Sequence, residues 1–132
     1  MWNTHDPGVR PTTMTIILTV TSPTLDSDVD PRFGRGAYLL LVDPQTMEWS
    51  ASPNPGLNAR GGAGIKAAEY VSTQGVDAVI SGDFGPNAFQ ALSSSGLSMY
   101  LFGECRTARE VIDRYNAGQL KQVPATMGGD SL

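Results

Sequence analysis

Residues 76–102 read VDAVISGDFGPNAFQALSSSGLSMYLF, and this stretch decides the fold. Residues 76–81 and 97–102 are short apolar runs bounded by glycine, which is the pattern of buried strands. Between them Pro86 stands at the first turn of a helical pattern that turns Ala88, Phe89 and Leu92 inward, and Gly96 closes it. A strand, a helix and a strand at this spacing make a right-handed crossover, so the two strands are expected to be parallel.

The same reading extends in both directions. Downstream, Thr107 and Glu110 form a capping box for a helix with Ala108, Val111, Ile112 and Tyr115 on its inner face, ended by Gly118. Upstream, residues 63–73 carry Ile65, Ala68 and Val71 at helical spacing, with Ala67 and Tyr70 beside them, and Gly75 ends the pattern. Residues 52–62 (SPNPGLNARGG) hold too many breakers for a regular element and read as a long loop, a place where function often resides. Residues 37–42 and 47–51 form a hairpin across the Asp43-Pro44 turn, and residues 15–21 (TIILTVT) form the first strand. With strands numbered along the chain, the expectation is a single α/β domain: a five-stranded mixed sheet of order 3-2-1-4-5, the second strand antiparallel, and three helices. Residues 1–13 are expected to be a flexible N-terminal extension, residues 14–121 the domain, and residues 122–132 a flexible C-terminal tail.

The chain has 132 residues, 40% of them hydrophobic, which is enough for one core without disulfides. Its single cysteine, Cys105, has no internal partner, and the first residues lack the basic and apolar regions of a signal peptide, so a cytoplasmic location is expected. No apolar run approaches the roughly 20 residues that span a bilayer. The net charge of −4 argues against general nucleic-acid affinity. Five of the nine basic residues, Arg32, Arg35, Arg60, Lys66 and Arg106, nevertheless fall in loops or helix starts, so one patch can still favour anions. A monomer or weak dimer is expected.

The expected topology puts the carboxyl ends of the first, third, fourth and fifth strands, and the first turns of all three helices, on one edge of the sheet. Residues 22–35, 53–64, 82–87 and 103–107 line this rim. Helix starts offer free N–H groups and the positive end of the helix dipole, and ligands of open α/β sheets bind at such an edge. Gly61-Gly62-Ala63-Gly64 lets a ligand approach backbone, or serves only as a supple entry to the helix. It lacks the Lys-Ser/Thr of a phosphate-binding P-loop. Its Gly-x-Gly-x-x-Ala at residues 62–67 is too far from a strand for a dinucleotide motif. Cys105 precedes the third helix, where the dipole and Arg106 would lower its pKa and favour copper or iron; the alternative is a buried, inert thiol. Asp26, Asp28 and Asp30 fail as a calcium loop, because Pro31 occupies the glycine position and Ala37 that of the bidentate glutamate. His5 reads as a surface histidine. Hydrolytic chemistry lacks a histidine base on the rim, and Asp83, which could pair with Glu104, more simply serves the turn before the second helix.

Four blocks, in order, carry a resemblance: Asp30-Pro31-Arg32-Phe33-Gly34-Arg35; Asn54-Pro55-Gly56; Gly61 to Ala68 (GGAGIKAA); and Gly82 to Phe89 (GDFGPNAF). Their order and spacing resemble the dinitrogenase iron-molybdenum cofactor family, which includes small carriers of nitrogenase cofactor assembly and the orange protein of sulfate reducers. The resemblance spans about residues 14–121. It implies a ribonuclease H-like fold without nuclease activity, and non-catalytic binding, storage or delivery of a metal-sulfur cluster. The cluster would be a molybdenum-copper sulfide in one branch and an iron-molybdenum cofactor or its precursor in the other. In the orange-protein branch no protein thiolate holds the cluster, which suits a chain with one cysteine. Many relatives have a histidine just before the Phe-Gly pair, where this chain has Arg32, so electrostatic capture replaces histidine ligation and the orange-protein branch is favoured. The expected cofactor-binding residues are Arg32, Phe33, Gly34, Arg35, Asn54, Arg60, Gly61, Gly62, Ala63, Gly64, Asp83, Gly85, Pro86 and Asn87, with Cys105 as the candidate metal ligand. Donor or acceptor proteins are the expected partners. The competing reading is a regulatory module that binds a nucleotide or partner protein at the same rim.

Overall fold

The computed structural model describes residues 14–124. The expected extension at residues 1–13, His5 within it, and residues 125–132 of the expected tail lie outside the described residues. The strands are β1 (Ile16–Val20), β2 (Tyr38–Val42), β3 (Trp49–Pro53), β4 (Ala78–Ser81), β5 (Ser98–Leu101) and β6 (Lys121–Val123). The helices are α1 (Ala63–Ser72), α2 (Gly85–Ser94) and α3 (Ala108–Asn116).

The sheet order is β3-β2-β1-β4-β5-β6. The parallel pairings of β1 with β4 and of β4 with β5 follow the expected crossovers, and β2 runs antiparallel to β1 and β3. A sixth strand corrects the expected five. Residues 121–123 pair antiparallel with β5, placing Val123 opposite Met99. Three residues that include exposed Lys121 and Gln122 show no apolar period. What orders them is tertiary: Gly118 reverses the chain at φ 71°, and Leu120 packs against the core. β3 also begins two residues later than expected. The Asp43 carboxylate accepts from the N–H groups of Gln45 (2.8 Å) and Thr46 (3.2 Å), and Met47 takes a left-handed φ of 68°, so the turn uses residues the pattern assigned to the strand.

β1 is buried along its whole length because both sheet faces are covered. Alternation sends Ile16, Leu18 and Val20 to one face, where they meet Ala108, Val111 and Ile112 of α3. Ile17 faces the other side with Ala67, Ala68 and Val71 of α1 and Ala88 and Leu92 of α2. Each fully buried aliphatic side chain contributes about 1.5–3 kcal/mol. The result is an α/β/α sandwich with two helices on one face and one on the other. The expected meeting of three helix starts is corrected accordingly. All three begin at the carboxyl edge of the strands, but α3 opens on the opposite face from α1 and α2, since β5 is followed by a crossover to the side that α1 and α2 leave open. No described helix is long and apolar enough to cross a membrane.

Candidate functional site

The chain leaving β1 runs along the carboxyl edge and ties the two faces together. On the α3 side, Val29 N–H donates to Arg106 O (2.9 Å) and Ala108 N–H to Ser27 O (2.9 Å). On the α1/α2 side, Phe33 N–H donates to Asp83 O (3.1 Å), and Arg32 forms an isolated parallel bridge with Asp83. Below this crossing, Thr19 and Ser81 share a hydrogen bond of 2.9 Å, and the Thr19 hydroxyl also donates to Asp30 O (2.6 Å).

Three rim segments pack shoulder to shoulder, and glycines make this possible. A Cβ on Gly34 would lie 2.7 Å from Gly64 N, one on Gly82 would lie 2.8 Å from Pro31 Cα, and one on Gly56 would strike Gly34 O and Ala63 O. Gly61 and Gly62 are different. A Cβ on either would meet nothing within 4 Å, and both are exposed, so packing does not explain them. Gly62 needs glycine for another reason, its φ of 68° at the N-cap of α1.

Several expected ligand-binding residues turn out to hold the rim together. Phe33 is buried against Phe84, ring centroids 5.3 Å apart. Asn54 is buried; its amide donates to Phe33 O (2.8 Å) and its side-chain oxygen accepts from Gly56 N–H (3.0 Å). Arg35 Nη1 reaches the carbonyls of Ala59 (2.8 Å), Leu57 (3.2 Å) and Gly56 (3.4 Å), clamping the 54–62 loop. The Asp83 carboxylate accepts from Gly85 N–H (3.2 Å), which is the turn-forming role its sequence context indicated. The remaining expected residues face outward: Arg32, Arg60, Gly61, Gly62, Gly85, Pro86 and Asn87 are exposed, and Ala63 and Gly64 are half-buried.

The helix starts differ in a way that sorts them chemically. No side chain caps α1 or α2, and neither has an acidic residue in its first turn. The leading N–H groups and positive dipole end of α1 are therefore turned toward the rim without a built-in counter-charge, whereas at α2 the Asp83 carboxylate takes Gly85 N–H (3.2 Å) and Pro86 has no N–H, which leaves Asn87 N–H. α3 is self-sufficient. Thr107 accepts from Glu110 N–H (3.2 Å), and the Glu110 carboxylate accepts from Arg106 N–H (2.8 Å).

Cys105 belongs to the α3 face. It lines a cavity of about 400 Å³ with Asp28, Val29, Pro31, Phe102 and Arg106. Burial pushes its thiol pKa up, the Glu110 carboxylate adds to this, and Arg114 opposes it. The expectation of a lowered pKa is thus reversed, because the thiol sits inside the protein rather than at an open helix start. Among the described residues no three His, Cys, Asp or Glu side chains gather as a metal-ligand set. Beside the start of α2 lies a second hollow, about 350 Å³, walled by Asp83, Phe84, Gly85, Pro86, Phe89, Leu101 and Val123. Leu101 and Val123 were not among the expected site residues, since the strand that brings Val123 there left no pattern in the sequence.

Among the described residues the rim offers amide and guanidinium donors and no cluster of thiolate, imidazole or carboxylate ligands. A family model described as dinitrogenase iron-molybdenum cofactor matches residues 14–118. The apo form of the orange protein from Desulfovibrio gigas is 36% identical, with 84% of this chain and 93% of that one covered, at a TM-score of 0.78. The NMR structure of a Thermotoga protein provisionally assigned as NifB is 27% identical, covering 89% of this chain and 99% of that one, at a TM-score of 0.73. A provisionally assigned dinitrogenase from Methanocaldococcus jannaschii shares the fold at 15% identity and a TM-score of 0.59, covering 84% of this chain and 95% of that one. No curated protein matches the chain significantly.

Proposed function

Because the chain belongs to the dinitrogenase iron-molybdenum cofactor family, we propose that it binds, stores or delivers a preassembled metal-sulfur cluster and performs no turnover chemistry. The observation that carries this reading is the uncapped, acid-free start of α1, set beside the start of α2 with exposed Arg32, Arg60 and Lys66 around them. A polyanionic sulfide would take charge-assisted hydrogen bonds from the guanidinium groups, from backbone amides near Gly61 to Gly64 and from Asn87 N–H. Each such bond contributes about 1.5–3 kcal/mol. The adjoining apolar wall of Phe89, Leu101 and Val123 suits the weakly hydrated surface of a sulfide.

We favour a molybdenum-copper sulfide over an iron-molybdenum cofactor or precursor. In support, the orange protein is a structural neighbour at 36% identity, and Arg32 stands just before the Phe-Gly pair, where the family resemblance implies a histidine in many relatives. Cys105 is left out of the cluster site because it lies on the other face, where burial pushes its thiol pKa up. The strand order 3-2-1-4-5 with β2 reversed supports a ribonuclease H-like reading of the fold, extended by β6. A cytoplasmic carrier that exchanges its cargo with donor and acceptor proteins is the role that fits.

Reconstitution with tetrathiomolybdate and copper, followed by gel filtration, a visible spectrum and metal analysis, tests the proposal. Molybdenum and copper coeluting with folded protein are expected. Folded protein emerging without metal would refute it, and tight binding of ATP or GTP in calorimetry would replace it with the regulatory reading.

A further inference from the structure

Asp30 is a buried carboxylate in a rim otherwise suited to anions, and its position is fixed from several sides. Its side chain is 8% exposed. Its N–H donates to Thr19 O (2.9 Å), and its carbonyl accepts from the Thr19 hydroxyl (2.6 Å). Gly36 lies against the carboxyl group, where a Cβ would come 3.3 Å from Asp30 Cγ, and Gly36 N–H donates to Arg32 O (2.8 Å). A buried carboxylate needs a cation or a set of donors. Asp30 Oδ1 finds both in one residue, accepting from Arg32 N–H (3.2 Å) and from Arg32 Nε (3.5 Å).

Arg32 itself is mostly in solvent, its side chain 65% exposed. An arginine so exposed ordinarily samples many rotamers, and a ligand must then restrict them on binding. Here the contact to Asp30 is through Nε. The two terminal nitrogens stay available, and the isolated bridge to Asp83 sets the residue beside the start of α2. We propose that Asp30 is a positioning residue: by holding Arg32 at its backbone N–H and Nε, it aims the free end of the guanidinium fork at the anion site beside α2. This rests on the cluster-binding reading. The device fits a ligand with several acceptor atoms, because only the terminal fork is presented.

Asp30→Asn tests it, since asparagine retains the volume and an oxygen that accepts from Arg32 N–H, yet loses the charge that holds Nε. Copper-tetrathiomolybdate retention is expected to weaken by about fivefold to tenfold, the scale of ordering one long side chain on binding. Simple removal of a negative charge would tighten anion binding, so the two readings differ in sign. In an Arg32→Ala background Asp30→Asn should produce no weakening, and any further weakening there, or unchanged or tighter retention in Asp30→Asn alone, overturns the proposal. Arg32→Lys, a change at an exposed position, supplies a second arm. Lysine keeps the charge without a separate Nε, so retention should fall, and wild-type retention would overturn the inference. The Nε–Hε NMR signal of Arg32 in free protein decides independently of any cluster. It should be ordered in the wild type, with an order parameter falling below about 0.6 in Asp30→Asn. Equal mobility in both proteins would sink the inference even if cluster binding holds, whereas absence of thiomolybdate binding by the wild type would sink only the function on which it rests.

Discussion

Replacing Arg35 with alanine separates a structural arginine from a binding one. From the sequence, Arg32 and Arg35 look alike: both flank the Phe33-Gly34 pair, and both would be expected to hold an anion at little cost to stability. Their surroundings differ. Arg35 Nη1 donates to Ala59 O at 2.8 Å, with Leu57 O and Gly56 O at 3.2 and 3.4 Å, so one strong bond and two long ones hold the loop that feeds α1. A hydrogen bond from a charged donor contributes about 1.5–3 kcal/mol, and the bond to Leu57 is solvent-exposed, so the loss is set near the lower half, about 2 kcal/mol. For a chain of this size that lowers the thermal midpoint by about 6–10 °C if the loop melts with the domain. If the loop opens first, the loss appears instead as faster amide exchange across residues 54–62. Arg32→Ala keeps the backbone N–H that Asp30 accepts and loses only the longer Nε contact of a side chain 65% exposed, so it should cost less than Arg35→Ala, about 1 kcal/mol or less. Scanning calorimetry with hydrogen exchange reads both. An Arg35→Ala protein with the wild-type midpoint and wild-type exchange in that loop would refute the assignment of Arg35 as a clamp.

The rim glycines should divide in the same manner. Gly34→Ala, whose Cβ would sit 2.7 Å from Gly64 N, should cost about 1–3 kcal/mol in urea denaturation, whereas Gly61→Ala, with open space around it, should leave stability alone and weaken cluster retention only. Stability should fall on the alkaline side. Burial raises the Cys105 thiol, with Glu110 adding, and raises the Tyr115 hydroxyl, with Tyr100 and Asp77 adding. The native state therefore holds protons that the unfolded chain releases, so the stabilisation is complete below the unfolded pKa values and disappears as pH climbs through the folded ones. Equilibrium unfolding at neutral and alkaline pH checks this, and Cys105→Ala should remove its share. Finally, retention of a thiomolybdate cluster should weaken steeply between low and high salt, because its partners are solvent-facing charges screened within about 8 Å at physiological ionic strength. Salt-independent retention in gel filtration would point to direct metal-ligand bonds instead.

The strands and helices were legible because each carries a local signal strong enough to survive its surroundings. Residues 76–81 are short, apolar and bounded by glycine; the α3 capping box is written in Thr107 and Glu110 and is formed in the structure. β6 was illegible for the complementary reason. Lys121 and Gln122 are exposed and polar, and their strand exists because β5 offers a free edge and Gly118 turns the chain back toward it. The face on which a helix lies is also a non-local fact. Nothing within residues 103–118 distinguishes packing against Leu18 and Ile80 from packing against Ile17 and Val79, so α3 could not be assigned to the opposite side from its sequence.

That division between faces explains why the glycine-rich blocks sit where they do. On the α3 side the helix start is closed by its own glutamate and needs nothing from outside. On the α1/α2 side the chain has removed every acidic residue from both first turns, left both N-caps without a side-chain acceptor, and brought the two starts so near that Gly64 lies 3.1 Å, measured from a would-be Cβ, from Ala88 Cβ. Two positive helix ends at such close range repel each other. A negative charge offsets such an arrangement: Asp83 supplies one to α2 through Gly85 N–H, and the buried Asp30 carboxylate is already engaged by Arg32, so none reaches α1. Under the proposed function a ligand supplies the missing counter-charge at α1, where no carboxylate reaches the leading N–H groups, which makes the bare start of α1 as informative as the arginines.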